Sequence, residues 1–184
     1  MKTLILIAGF AAAVLTSLSL AALGQSPHAP LSQPYAGMQS REIKSFSEQQ
    51  IADLKAGRGM GLALAAELNG YPGPSHLLEL ADELQLTVDQ RLFLKTAFGS
   101  MKAETILMGE RLLLQEAQLD RLFAEQSISE ENLKVATAAI GETQSELRNS
   151  HLRYHIHSRE ILTADQIKQY SELRGYAGKH HMHN

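Results

Sequence analysis

The sequence predicts an all-α fold, a long antiparallel helical hairpin with shorter flanking helices. Three observations predict it. Apolar residues recur at alternating steps of four and three from residue 94 to residue 122, the spacing of one face of a helix packed against a near-antiparallel partner. Three capping boxes mark helix starts, and no stretch shows the strict alternation of a strand. The chain has 184 residues, 44% apolar and only 5% aromatic, which suits one domain with an aliphatic core.

Composition removes several classes of function. With Lys plus Arg at 17 and Asp plus Glu at 20, the net charge is −3, and no clustered basic surface for nucleic acid is offered. The absence of cysteine excludes disulfide staples, thiol catalysis and cysteine-ligated zinc.

Taken in order, residues 1–24 read as a signal peptide. Lys2 forms its positive end, Leu4 to Leu20 is the apolar run, and Ala22-Leu23-Gly24 supplies small residues for cleavage. The run is somewhat long, so an uncleaved membrane anchor is the alternative. Export to a bacterial periplasm is the expected localisation. Residues 25–44, with Pro27, Pro30 and Pro34, read as an extended linker. The helical domain spans 45–176 and a histidine-rich tail spans 177–184.

Within the domain, Ser47-Glu48-Gln49-Gln50 is the first capping box, opening a helix weakened by Gly57, Gly59 and Gly61 that resumes through Leu62, Leu64 and Leu68. Asn69-Gly70-Tyr71-Pro72-Gly73-Pro74 stops it, and a short segment from His76 to Leu84 follows. Thr87-Val88-Asp89-Gln90 opens a helix expected to reach about Glu125. Its inward row is Leu94, Phe98, Met101, Thr105, Met108, Leu112, Gln115, Leu119 and Leu122. Ser129 caps a second long helix whose stripe is Leu133, Ala136, Ile140, Leu147 and Tyr154. Thr163-Ala164-Asp165-Gln166 opens a last helix ending at Gly175.

Leu86-Thr87-Val88-Asp89-Gln90 and Leu162-Thr163-Ala164-Asp165-Gln166 are two copies of an L-T-x-x-Q motif about 75 residues apart. An exported, cysteine-free, helical chain with both copies resembles the Spy/CpxP family of periplasmic stress proteins, which includes periplasmic heavy-metal sensor and resistance proteins. The resemblance covers roughly Ser45 to Tyr176. It implies a curved helical homodimer without catalytic machinery. It further implies either ATP-independent holding of unfolded clients or binding of a divalent metal coupled to envelope signalling. The chain departs from the client-holding members, which carry a basic concave face, in being net acidic.

Histidine placement favours metal. His151 and His155 stand one turn apart on the second long helix, so both project from one face at the edge of its core stripe. The heavy-metal sensors resembled here use H-x-x-x-H pairs. His157 lies about 200° around the helix from His155 and falls outside the pair. His76, with Glu79 one turn on and Glu67 across the Pro-Gly turn, is a further donor from the short segment. The tail supplies His180, His181, Met182 and His183, a borderline-to-soft set suited to Zn, Ni or Cu. Met101 and Met108 read as core filling, and the glycines before Pro74 as points of close helix approach.

No H-E-x-x-H, G-x-S-x-G or acid–base carboxylate pair is present, so the chain is not expected to be an enzyme. The expected function is a non-enzymatic envelope-stress protein that binds a divalent transition metal (Zn, Ni or Cu). The alternative is a holdase chaperone of the same fold, and a membrane sensor or anti-sigma factor is a further candidate partner.

Overall fold

The computed structural model describes residues 33–176. The expected signal peptide, most of the proline-bearing linker before Tyr35, and the histidine-rich tail lie outside the described residues. Those described form six α-helices and no strand: α1 Glu48–Lys55, α2 Leu64–Glu67, α3 Pro74–Glu79, α4 Val88–Ala124, α5 Glu130–Glu160 and α6 Ala164–Leu173. Among them no helix is long and apolar enough to cross a membrane.

All three expected capping boxes close reciprocally. Ser47, Thr87 and Thr163 each accept from the amide three residues on, and Gln50, Gln90 and Gln166 each reach back to the cap amide. Ser129 makes a fourth box with Asn132 in the glutamine position. Two orphan amides are thereby satisfied at each helix start. The L-T-x-x-Q motifs do more than cap. Gln90 Nε2 donates to Gln166 Oε1 at 2.9 Å, and Gln166 Nε2 donates back to Gln90 Oε1 at 3.1 Å. Their amides also reach the carbonyls of Ile161 and Leu84, so the starts of α4 and α6 are clasped together.

The two long helices are joined by five residues and hold each other through paired side chains. Arg111 bonds Glu146, while Glu104 accepts from Ser150 and Tyr154, each at 2.9 Å, and from Arg153. Burial alone would raise the Glu104 carboxyl, but these donors and the Arg153 charge hold it below its ordinary value. Of the expected α4 row, Leu94, Met101, Thr105 and Leu112 are buried and the others are half-buried, apart from Gln115 Oε1, which is sealed from solvent without a partner. The α5 stripe is buried at Ile140, Leu147 and Tyr154 but not at Leu133, which is 36% exposed. Leu133 joins none of the three apolar clusters of the described residues, so its side chain is left to solvent.

Three apolar clusters follow one another along α4. Leu94 packs with Leu77, Leu84, Leu86 and Tyr170; Ala97 and Met101 pack with Tyr154; Leu112 and Leu113 pack with Ile51, Leu54, Ile140 and Leu147. Ile43 joins the last cluster at 4% exposure, so packing begins before the expected linker ends at residue 44. α1 crosses α4 at Gly109, where a Cβ would stand 2.5 Å from the Leu54 carbonyl oxygen, so only glycine admits the crossing. Between the first and last clusters, the glycine-bearing segment from Gly57 to Pro74 covers the middle of α4 and α5.

Candidate functional site

Beneath that segment lies a cavity of about 530 Å³. Its walls include Gly59, Met60 and Leu64, then Glu67, Gly73 and His76, with Phe98 and Met101 from α4 and His151 and His155 from α5. Sequence spacing placed His151 and His155 at the edge of the core stripe; the fold buries both, at 3% and 7% exposure. The glycines make this possible. Gly59 lies against the His151 ring, and a Cβ on Gly73 would stand 2.8 Å from His155 Cε1 and Nε2.

His155 is oriented by the backbone. Its Nδ1 lies 2.7 Å from the Tyr71 carbonyl oxygen, and since a carbonyl only accepts, Nδ1 carries the hydrogen. In the neutral ring Nε2 then keeps its lone pair. Arg159 fixes the carbonyl's neighbourhood, bonding Gly70 O and lying 4.5 Å over the Tyr71 ring. His151 differs: its Nε2 is buried and has no hydrogen-bond partner. Burial, and secondarily the His155 charge, hold its pKa below the ordinary 6.5, so the ring is neutral at neutral pH.

Glu67, named in the sequence only as an oxygen donor across the turn, is the hub of the site. At 5% exposure, its Oε1 accepts from Tyr170, from Tyr176 at 3.2 Å and from His76 Nδ1 at 3.1 Å; its Oε2 accepts from the Gly73 amide at 3.1 Å. His155 Nδ1 lies 3.7 Å from Oε2. Burial alone would raise this carboxyl, but the bonds from His76, Tyr170 and Gly73, with the His76 charge, hold it down at about 2. Burial and the same carboxylate push the Tyr170 hydroxyl up. In the neutral form of the His76 ring, with Nδ1–H given to Glu67, the lone pair stands on Nε2, the arrangement that fixes metal-ligating imidazoles.

The other expected donors are placed apart. Glu79 pairs with Arg174 rather than His76, at 3.4 Å. His157 is exposed, its ring edge-on to Tyr154 at 5.9 Å. His180, His181 and His183 lie outside the described residues. Among the described residues no group of three or more histidine, aspartate or glutamate side chains is placed to hold one ion. His76 lines the same cavity as the α5 pair without completing it.

The hub itself escaped sequence reasoning because its phenols come from the other end of the chain; the signal available was a glutamate followed six residues later by Gly-Pro in an otherwise apolar segment. Compared with known proteins, the chain matches no family model, no curated protein and no solved structure.

Proposed function

We propose that the chain is a non-enzymatic, metal-binding stress protein of the cell envelope, built on a Spy/CpxP-like helical hairpin and acting as a homodimer. The observation that carries this reading is the His151 Nε2 atom, buried and without a partner beside a second imidazole whose Nδ1–H is already fixed. A buried polar nitrogen left unpaired is a cost of about 1–3 kcal/mol that a fold retains for a reason. A neutral imidazole held one turn from another offers two nitrogen ligands to a borderline divalent ion such as Zn, Ni or Cu. Residues that fit the ion are His151 and His155, with His76 at the cavity wall. The metal would serve as a bound signal or stored ion; among the described residues of the cavity, the histidines bond only to Glu67 and the Tyr71 carbonyl, not to a hydroxyl.

Calorimetric titration of Zn, Ni and Cu into the protein tests it, with His151→Ala/His155→Ala alongside. The expected outcome is stoichiometric binding that the double variant loses. Unchanged binding in that variant, with helicity retained, rejects the site.

A holdase reading is favoured by a different observation. Leu107, Leu114 and Val135 are 68%, 73% and 66% exposed on the long helices. Leu114 and Val135 flank an apolar groove shared with Leu122, Ala136 and Ala139. Suppression of client aggregation by metal-free protein, weakened by Leu114→Glu, would support holding of unfolded chains.

A further inference from the structure

Two thioether side chains line the cavity that holds His151 and His155. Met101 enters from α4, buried at 7% exposure and packed with Tyr154, the residue just before His155. Met60 enters from the glycine-bearing segment and is 41% exposed, in none of the three apolar clusters. Its backbone is unusual for methionine. The turn from Gly59 to Leu62 closes through the Leu62 amide to the Gly59 carbonyl at 2.7 Å. Both central residues have positive φ, Met60 at +42° and Gly61 at +81°. Such turns favour Gly, Asn or Asp at these places, because a longer L side chain is strained there. A methionine held in that conformation at a cavity wall does not serve to fill the core.

Nitrogen and oxygen donors stop at the α5 pair. Among the described residues no third histidine, aspartate or glutamate is placed with two others to hold an ion. Glu67 is unsuited to the task, since its oxygens already accept from four donors. The further donors in the cavity wall are the two sulfurs, and neutral imidazole and thioether together make an uncharged set. With no anionic ligand to offset its charge, a divalent ion loses more on desolvation than a monovalent one. Thioether and imidazole are also the soft and borderline ligands that suit Cu(I). We propose that the cavity is a Cu(I) site, with His151 and His155 as nitrogen ligands and Met60 and Met101 as thioether ligands. The inference rests on the metal-binding reading above and names the ion.

The test compares the full chain with Met60→Leu/Met101→Leu and with His151→Ala/His155→Ala. Cu(I) affinity is read by competition with a chromophoric chelator under ascorbate, and Zn(II) affinity by calorimetry. Leucine keeps the volume of methionine, so the fold is retained, as circular dichroism and melting temperature check. The methionine variant should bind Cu(I) about tenfold or more weakly, with Zn(II) affinity changed by about twofold or less. X-ray absorption of the Cu(I) protein should show copper–sulfur scattering that this variant loses. Met60→Leu alone, outside the apolar clusters, repeats both readouts where Met101→Leu disturbs packing. Unchanged Cu(I) affinity or surviving copper–sulfur scattering in the methionine variant overturns the Cu(I) assignment, and so does an equal loss of Cu(I) and Zn(II). Zn(II) binding lost in the histidine variant would then leave the two-histidine reading standing. Failure of the unaltered chain to bind either ion overturns both.

Discussion

Glu67 remains charged where burial alone would neutralise it, and the consequence is a measurable acid sensitivity. In the unfolded chain a glutamate titrates near 4.5, whereas here it is held at about 2. A depressed carboxyl stabilises the fold fully above the unfolded value, and that stabilisation is lost as pH falls from 4.5 towards 2. The amount is on the order of 3 kcal/mol at 1.36 kcal/mol per pKa unit. Glu67→Gln should therefore be about 3 kcal/mol less stable at pH 7, with a flatter stability profile between pH 4.5 and 2, as read from urea unfolding. His151 adds an earlier phase of the same sign: its lowered pKa makes the unfolded state take up a proton first as pH drops below 6.5. Gly73→Ala should displace the His155 ring, lower stability by about 1–3 kcal/mol and weaken metal binding, checked by thermal melts and titration. The spacing of His151 and His155 was legible because helix period alone sets it. The carboxylate hub was not, since no local pattern announces partners 103 and 109 residues away.

At the scale of elements, the L-T-x-x-Q motifs show what local chemistry can and cannot specify. Each fixes a helix start to the residue, because the cap and its reciprocal glutamine lie within four positions. The clasp between Gln90 and Gln166 is invisible at that range. It depends on the turn after α3 and the α5–α6 turn delivering the Leu84 and Ile161 carbonyls to the same place. A double-mutant cycle with Gln90→Ala and Gln166→Ala should give a coupling of about 0.5–1.5 kcal/mol, since each single change removes its own cap bond and the shared bonds are counted once. A cycle between Gln50 and Gln166, which share no bond, should give a coupling near zero. The α4 row is buried or half-buried along its whole length, whereas the α5 stripe was read too generously at Leu133. Periodicity reports which face turns inward, not how many neighbours wait there.

For the whole molecule, the arrangement separates a covered region from an exposed one along the same two helices. His151 and His155 lie beneath α2, α3 and the glycine-bearing segment, with Glu67 of α2 turned in beside them, while Leu114, Phe123 and Val135 stand out in solvent further along. A ligand bound in the covered region stabilises the entire fold by mass action. Zn at 100 times its dissociation constant should add about 2.7 kcal/mol to unfolding free energy, read as a raised melting temperature that His151→Ala/His155→Ala abolishes. The all-helical class was legible from composition, caps and period together. The enclosure of the histidines was not, because it arises where glycines remove side chains rather than where side chains make a pattern.

Glu67 also sets an order of events. Its bonds close stretches of 6, 9, 103 and 109 residues, whereas the bonds joining α4 to α5 close 35 to 50. Longer closures are entropically dearer, so the long helices pair first and the phenols of Tyr170 and Tyr176 arrive afterwards. Stopped-flow measurements should accordingly find Glu67→Gln unfolding faster with its refolding rate nearly unchanged, a φ-value near zero. The last bonds to form on the way in are then the first to part on the way out. The cavity is accordingly expected to open by partial unfolding of the glycine-bearing segment and of the Tyr170 and Tyr176 contacts while the two long helices stay paired, and on the proposed metal-binding reading an ion would enter by that opening.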